Sequence, residues 1–320
     1  MADSMMKITD ATTITTMANS DTVFVNSGSD LKQIALSNMN AISTLSHNIP
    51  RLEPKDITSY YEDGSLWKRL NGSDGYSLFE DIFVGDYIKM SRAISAKNPD
   101  STYQLTGSQY VTIASINGLM GNGDNSVLSV NHLVMVPGQG FGGTQHFGRS
   151  YMNSTHTTVE GYKSSYMNTT LLGDVATSGS TADDATINQQ LYAEFGSHLK
   201  TTRELVSNGI NSSGYNRFGA ANGCSNSWEW ISAQAILMSE IEVYGSVVFG
   251  SSGYDIGNAN HQLELFTNSK EAINNRSAYY WLKDVASASP FCCCNNSGDS
   301  NCSSAGSGYC YVRPRFVIAA

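Results

Sequence analysis

The stretch that decides the fold is "PFCCCNNSGDSNCSSAGSGYCYVRPRFVI", residues 290–318. Three consecutive cysteines lead into a tract of Asn, Ser, Gly and Asp, and an apolar segment closes the stretch. In an extended strand "VRPRFVI" (312–318), one face carries Arg313 and Arg315 and the other carries Val312, Pro314, Phe316 and Ile318. A strand with an apolar face must be buried against a core. The sequence therefore predicts that the tract is a loop or strand pair held at both ends on a rigid scaffold.

The composition narrows the class of protein. The chain has 320 residues, of which 40% are hydrophobic, and this is enough for one large domain or two to three modest ones. No run approaches the roughly 20 apolar residues of a membrane span, so we expect no membrane insertion. A net charge of −9 argues against a nucleic-acid partner. The first residues lack the apolar core of a signal peptide, so we expect folding in a reducing cytoplasm.

The chain divides by pattern into three parts. Residues 1–47 predict a small β-rich module with a strand in "DTVFVNSG" and a tight turn at residues 27–30. About 45 residues cannot bury a core alone, so docking or oligomerisation is expected. Residues 48–72 contain Pro50 and Pro54, which argue against one continuous helix, and we interpret them as a linker or neck. Residues 73–320 predict short strands and long polar loops.

Within residues 73–320 the pattern predicts an α+β fold. Strands are expected in "SLFEDIFVGDYIKM" (77–90), "QYVTIASING" (109–118) and "VNHLVMVPG" (130–138), which are rich in β-branched and aromatic residues. A helix is predicted over residues 182–199, from its apolar spacing. Another is predicted over residues 225–245, with a Ser cap and a terminal Gly245. Four aromatic residues of this part of the chain are expected in the core: Trp228, Trp230, Tyr280 and Trp281.

The cysteine cluster admits several interpretations. Five of the six cysteines fall within residues 292–310. A zinc site typically uses C-x₂₋₄-C pairs, and adjacent ligands with no nearby His fit that spacing poorly. Adjacent cysteines also make poor disulfide partners for each other. A disulfide from Cys292 or Cys294 to Cys302 or Cys310 is an alternative if the protein reaches an oxidising setting. A nucleophilic cysteine needs a positioned base, and none is readable from the sequence.

The N-terminal module resembles the short module that anchors phage head and tail fibre proteins to the virion. The matching residues are Asp21, Val23 and Val25 in the strand, followed by Lys32 and Ile34. The resemblance implies that residues 1–47 contact other virion proteins and that the protein is a homotrimer.

Most of the remaining chain resembles one family in successive blocks. They include "DIFVGDYI" (81–88), "HLVMVPGQGFGGTQHF" (132–147), "MNSTHTTVEGYKSSYM" (152–167), "FGSHLKTTRELVSNGI" (195–210), "WEWISAQAILMSEIEVYGSVVFGSSGYDIG" (228–257), "LELFTNSKEAINNRSAYYWLKDVASASPF" (263–291) and "VRPRFVI" (312–318). The family is a domain of gut phages and Firmicutes whose members look like variable proteins of diversity-generating retroelements. The resemblance implies a C-type-lectin-like, formylglycine-generating-enzyme-like fold of short twisted antiparallel strands, two main helices and long loops. Lys283 departs from the family's usual Arg in "Tyr-Trp-Leu-Arg-Asp", which argues against an arginine-type contact to a carboxylate there.

Such retroelements randomise template adenines, so that AAY codons become NNY codons. These codons encode Asn, Ser, Tyr, Cys, Gly and Asp, and they exclude Lys, Glu, Gln, Met and Trp. The tract 291–311 contains none of the five excluded types. The resemblance therefore implies a variable, ligand-binding region over residues 291–311. Its expected contacts are Phe291, Cys292, Cys293, Cys294, Asn295, Asn296, Asp299, Ser300, Asn301, Cys302, Ser304, Ser307, Tyr309, Cys310 and Tyr311.

The function implied is that of a non-enzymatic phage receptor-binding protein. We expect it in a tail or capsid fibre of the virion, folded in the cytoplasm of the bacterial host, with a host-surface protein or glycan as its partner. No catalytic residue, metal or cofactor is expected. Two alternatives stay open: a metal- or cysteine-dependent enzyme of the formylglycine-generating branch, and a bacterial surface adhesin of the same fold.

Overall fold

The computed structural model describes residues 22–27, 30–35, 47–96, 106–207, 228–250, 261–267 and 279–320. The chain forms two compact units, Met1–His47 and Asn48–Ala320. In the first unit, strands β1 (Thr22–Ser27) and β2 (Asp30–Ala35) pair antiparallel, with Ser27 opposite Asp30. The strand predicted in "DTVFVNSG" is confirmed, and the segment after the turn is a strand.

The segment 48–72 is part of the larger unit, which corrects the prediction of a linker or neck. Helices α1 (Thr58–Glu62) and α2 (Ser65–Asn71) follow the two prolines. Ile57, Leu66 and Leu70 are fully buried in the main core. As the prolines predict, the segment is not one continuous helix, and α2 buries Leu66 and Leu70.

The larger unit is a mixed α+β structure, mostly strands with a few helices. Its main antiparallel sheet has the order β3-β4-β5-β13-β6, and β9 also pairs with β13. The strands are β3 (Tyr87–Lys89), β4 (Tyr110–Ile116), β5 (His132–Pro137), β6 (Leu199–Lys200), β9 (Ile236–Leu237) and β13 (Pro314–Ala319). The predicted strands at 109–118 and 130–138 are confirmed. The candidate at 77–90 contributes only β3, because residues 79–85 turn through Phe79 and Asp81 at positive φ.

The segment "VRPRFVI" is the scaffold strand that its pattern predicts. β13 pairs with β5 on one side and with β6 and β9 on the other. Phe316 and Ile318 are fully buried, as expected. The opposite face is buried as well, since Arg313 is 1% exposed and Arg315 is 0% exposed. A buried strand of this kind requires partners for its two arginines.

The predicted helices differ in outcome. Helix α3 (Ile187–Phe195) confirms the core of the helix expected over 182–199, and it begins with a capping box formed by Thr186 and Gln189. The helix expected over 225–245 is wrong. That segment contains strand β8 (Trp228–Ala233), strand β9 and helix α4 (Glu240–Tyr244), which ends before Gly245.

Two smaller sheets complete the strands. β7 (Thr202–Ser207) pairs with β8, and β10 (Tyr280–Val285), β11 (Pro290–Cys294) and β12 (Ser300–Ser304) form an antiparallel sheet in that order. Further helical elements are a π-helical turn at Met167–Leu172, a 3₁₀ turn at Gly196–His198 and helix α5 (Glu264–Thr267).

Candidate functional site

The cysteine run is the central strand of a three-stranded sheet. Strand β11 pairs with β10 on one side and β12 on the other, so Cys293 faces Trp281 and Asn301. Phe291 and the three cysteines that follow it are all 0% exposed. Cys310, at the end of the tract, is also 0% exposed. These five residues were predicted to contact a ligand. The structure corrects this, because both faces of β11 are covered by the protein itself.

The buried thiols lie in environments that favour the neutral form. Burial raises the pKa of Cys292 and Cys294, and a hydrogen bond with Cys310 together with burial raises that of Cys293. A nucleophilic cysteine requires the opposite shift, because the thiolate is the reactive species. The three cysteines therefore pack as small apolar side chains. Among the described residues, no group of three His, Cys, Asp or Glu side chains is arranged to hold a metal ion. Cys224 lies outside the described ranges.

The turn at residues 295–299 is exposed and satisfies its own backbone. Asn295 N donates to Asp299 O at 2.9 Å, and Asn295 Oδ1 accepts from the N–H groups of Ser297 (2.8 Å) and Asp299 (2.9 Å). Gly298 has a φ of 83°, a conformation that side chains other than glycine rarely adopt. Asn296, Ser297 and Asp299 point to solvent. The turn has a defined backbone that presents short polar side chains.

The predicted contacts after Cys294 are mostly accessible. Two classes cover them: Asn296, Asp299 and Tyr309 are exposed, and Asn295, Ser300, Asn301, Cys302, Ser304, Ser307 and Tyr311 are partly exposed. Tyr309 has the largest exposed apolar surface of the tract, at 49%. We call these ten residues the tract surface. Of the three predicted aromatic anchors, Tyr309 and Tyr311 belong to the tract surface, and the buried Phe291 does not.

The segment 147–153 holds the second half of the tract in place. Met152 N donates to Ala305 O at 2.9 Å, Ser150 N to Cys310 O at 3.2 Å, and Arg149 Nε to Tyr309 O at 2.9 Å. Trp281 Nε1 donates to Ser150 O at 2.7 Å, which ties the same segment to β10. The loop is therefore clamped along its length, although most of its side chains are small.

Side chains that the sequence did not single out extend the tract surface. Tyr279 meets Tyr309 edge-on at 5.8 Å between ring centroids. The Arg149 guanidinium lies 5.3 Å from the centroid of the Tyr311 ring, and His146 packs on the same ring at 4.0 Å. Burial, with the charges of Arg313 and Arg149, lowers the pKa of His146 to about 4, so it is neutral at pH 7. Only the double aromatic "YY" at 279–280 offered a sequence signal.

Glu240 links the tract to a distant loop. Its carboxylate is buried, and it accepts hydrogen bonds from Val248 N (2.9 Å), Gly250 N (2.8 Å) and Ser300 Oγ (2.6 Å). Its own N–H donates to Asp284 Oδ2 at 2.5 Å. Burial and the charge of Glu240 raise the pKa of Asp284 to about 7. Ser300 was predicted to contact a ligand, and its hydroxyl also donates a hydrogen bond within the fold, to Glu240.

A buried group of four charges supports the strand that follows the tract. Arg315 donates from Nη1 to Glu204 Oε1 (3.0 Å) and from Nη2 to Glu204 Oε2 (2.7 Å), and its Nε donates to Glu242. Lys283 Nζ lies 3.5 Å from Glu204 Oε2 and 3.6 Å from Glu242 Oε2. Two cations face two carboxylates, so the charges cancel. Although burial opposes it, the charge of Arg315 lowers the pKa of Glu242 to about 2.

The charge group accounts for the lysine at position 283. Arg315 supplies the bidentate contact to a carboxylate, which requires a planar fork. Lys283 acts as a point charge between Glu204 and Glu242 and does not need that geometry. Tyr280 and Trp281, on the same strand, are fully buried as expected, while Trp228 and Trp230 are only partly buried.

Within the described ranges, no helix is both long and apolar enough to cross a membrane. Comparison with known proteins gives no relative: no family model, no curated protein and no solved structure matches the chain.

Proposed function

We propose that the protein is a non-enzymatic, phage-encoded receptor-binding protein that displays a diversified surface on a C-type-lectin-like scaffold. One observation carries the proposal: a tract of retroelement-compatible composition is fixed at both ends by buried strands and is accessible in between. Binding sites are commonly built on loops that a rigid scaffold positions. The surface consists of the ten residues of the tract surface, with Arg149 and Tyr279 beside them.

The chemistry of the tract surface suits recognition. Tyr309 and Tyr311 offer rigid aromatic area at a low cost in conformational entropy, and Asn and Ser side chains adapt their hydrogen bonds to different ligands. The turn at residues 295–299 needs no partner to satisfy its backbone, so it is ready to bind without reorganisation. The raised pKa values of the buried cysteines favour a packing role for them over a catalytic one.

The division of the chain supports an arrangement of anchor and binding domain. Met1–His47 is a compact unit separate from Asn48–Ala320. In the proposal the first unit attaches to virion proteins and the second meets a host-surface protein or glycan. A homotrimer repeated on one particle would raise a moderate single-site affinity through multivalency.

A binding assay tests the proposal directly. Labelled full-length protein is titrated onto a panel of gut Firmicutes isolates, and saturable binding to at least one isolate is expected. Tyr309→Ala should weaken that binding by about tenfold or more, since exposed aromatic anchors are typical hot spots. Asn125→Ala, at an exposed position outside the tract, is the control and should bind as the unchanged protein does. Equal binding by both variants, or no binding to any isolate, would contradict the proposal.

A further inference from the structure

Two cysteines lie directly opposite each other on neighbouring strands of the hairpin. Cys292 on β11 is the register partner of Cys302 on β12, and both thiols are free. In an antiparallel ladder, opposed pairs alternate between hydrogen-bonded and non-hydrogen-bonded positions. Which kind of pair the two cysteines form decides how close they lie.

The hydrogen bonds at the two ends of the hairpin settle the kind of pair. Asn295 N donates to Asp299 O at 2.9 Å beyond one end, and Ala305 N donates to Ser289 O at 2.9 Å beyond the other. Counting alternate pairs inward from either end places Cys292 and Cys302 at a non-hydrogen-bonded position. Cys302 N agrees with this, since it donates to Asn301 Oδ1 at 2.8 Å.

A non-hydrogen-bonded pair satisfies the backbone requirement of a disulfide. Its Cα atoms lie about 4.5 Å apart, and disulfides span Cα separations of roughly 4.4–6.8 Å. The two side chains share one face of the hairpin, because opposed residues point the same way. Cys292 is fully buried and Cys302 is partly exposed. Cys302 is therefore the thiol that solvent reaches first.

The other pairings of the described cysteines fit less well. Cys293 and Cys310 are joined by a side-chain hydrogen bond, but both residues are fully buried, so neither thiol meets an oxidant in solvent directly. Cys294 is diagonal to Cys302, at roughly 7–8 Å. Adjacent cysteines of the run cannot bridge without strain.

We propose that Cys292 and Cys302 form a cross-strand disulfide when the protein meets a small disulfide oxidant such as oxidised glutathione. The Cys302 thiolate attacks one sulfur of glutathione disulfide, which gives a mixed disulfide and releases one glutathione thiolate. The Cys292 thiol then loses its proton and attacks the Cys302 sulfur, releasing the second glutathione. Two protein thiols are oxidised, and one glutathione disulfide is reduced to two thiols. The bond closes a ring around the exposed turn.

The inference is independent of the proposed function. Reduced full-length protein is incubated with oxidised glutathione under native conditions, alkylated in denaturant, digested and examined by mass spectrometry. A peptide pair linked through Cys292 and Cys302 is expected, with Cys293, Cys294 and Cys310 alkylated. Cys302→Ser should abolish the link, and the matched control Cys310→Ser should keep it.

A trapping variant gives a second measurement. Cys292→Ala removes the resolving thiol, so Cys302 should retain one glutathione as a stable mixed disulfide. A link through another cysteine pair, or a link that persists in Cys302→Ser, would overturn the proposal. So would stable glutathionylation of Cys302 in the unchanged protein with no link formed.

Discussion

The cysteine run of strand β11 and the turn that follows it are adjacent in the chain and are both built from small residues, yet their environments are opposite. The cysteines of β11 are fully buried between two strands, while Asn296 and Asp299 of the turn face solvent. The composition of the tract is uniform enough to suggest one surface. The difference indicates that substitutions in this tract should be tolerated best where no neighbouring strand covers the side chain.

The largest effect is expected from the charge group behind the tract. Arg315→Met leaves Glu204 and Glu242 with Lys283 as their only buried cation in the described group, and loss of one partner of a buried pair costs about 3–5 kcal/mol of unfolding free energy. Chemical denaturation measures this loss. Arg203→Met is the matched control, since Arg203 forms a partly exposed pair with Asp124 and should cost about 1 kcal/mol or less. Equal losses would show that the charge group does not support the strand.

A reciprocal exchange of Cys and Asn compares the buried half of the tract, on β11, with its exposed half, in the turn. Cys293→Asn places an amide in a fully buried position and should cost about 1–3 kcal/mol of unfolding free energy. Asn296→Cys places a thiol at an exposed turn position and should change that free energy by about 0.5 kcal/mol or less. Both are read from denaturant midpoints under reducing conditions. Comparable losses for the two variants would remove the distinction between the halves.

Strand β10, which pairs with the buried cysteine strand, should also carry a pH dependence that the turn lacks. The folded-state pKa of Asp284 is about 7, above its ordinary value of 3.8, so the folded protein binds more protons than the unfolded chain between these values. Stability from this group is present below pH 4 and is lost as the pH rises towards 7. Asp284→Asn should flatten the fall in thermal midpoint over that range, and Asp299→Asn in the turn should leave it unchanged. A wild-type slope in both variants would contradict the assignment.

The smallest effect is expected within the turn itself. Gly298→Ala forces a side chain into a φ of 83° and should lower the unfolding free energy by about 1 kcal/mol. The control is Ser297→Ala, at an exposed neighbour whose side chain makes no hydrogen bond in the described contacts, with an expected change near zero. A neutral Gly298→Ala would mean that the turn backbone is not fixed as described.

Much of the scaffold could be predicted from the sequence. The β-branched runs of β4 and β5 and the alternation in "VRPRFVI" identify buried strands because burial selects those side chains directly. The prediction of one helix over 225–245 was wrong because it gave apolar spacing more weight than a local capping signal. Ser239 and Glu242 form a capping box, and this N-cap, six residues before Gly245, marks the start of α4. The strands before it have to be inferred from the alternation of Trp228 and Trp230.

The candidate site was less predictable, for a physical reason. Whether Cys293 is buried depends on β10 and β12 lying on either side of it, and no local pattern encodes both neighbours. The arginine pair shows the same limit. The alternating pattern alone places Arg313 and Arg315 on the polar face of a strand. The desolvation cost of burying Arg315 is offset by hydrogen bonds to Glu204 and Glu242, which come from other elements.

The position of β13 inside the main sheet has a consequence for folding kinetics. Its partners β5 and β6 are made long before it during synthesis, and each presents an unpaired edge until residues 314–319 leave the ribosome. Contacts of such long sequence separation slow folding, and exposed strand edges invite pairing between chains. Truncation before residue 314 should therefore leave these edges unpaired and yield aggregates rather than a smaller folded domain.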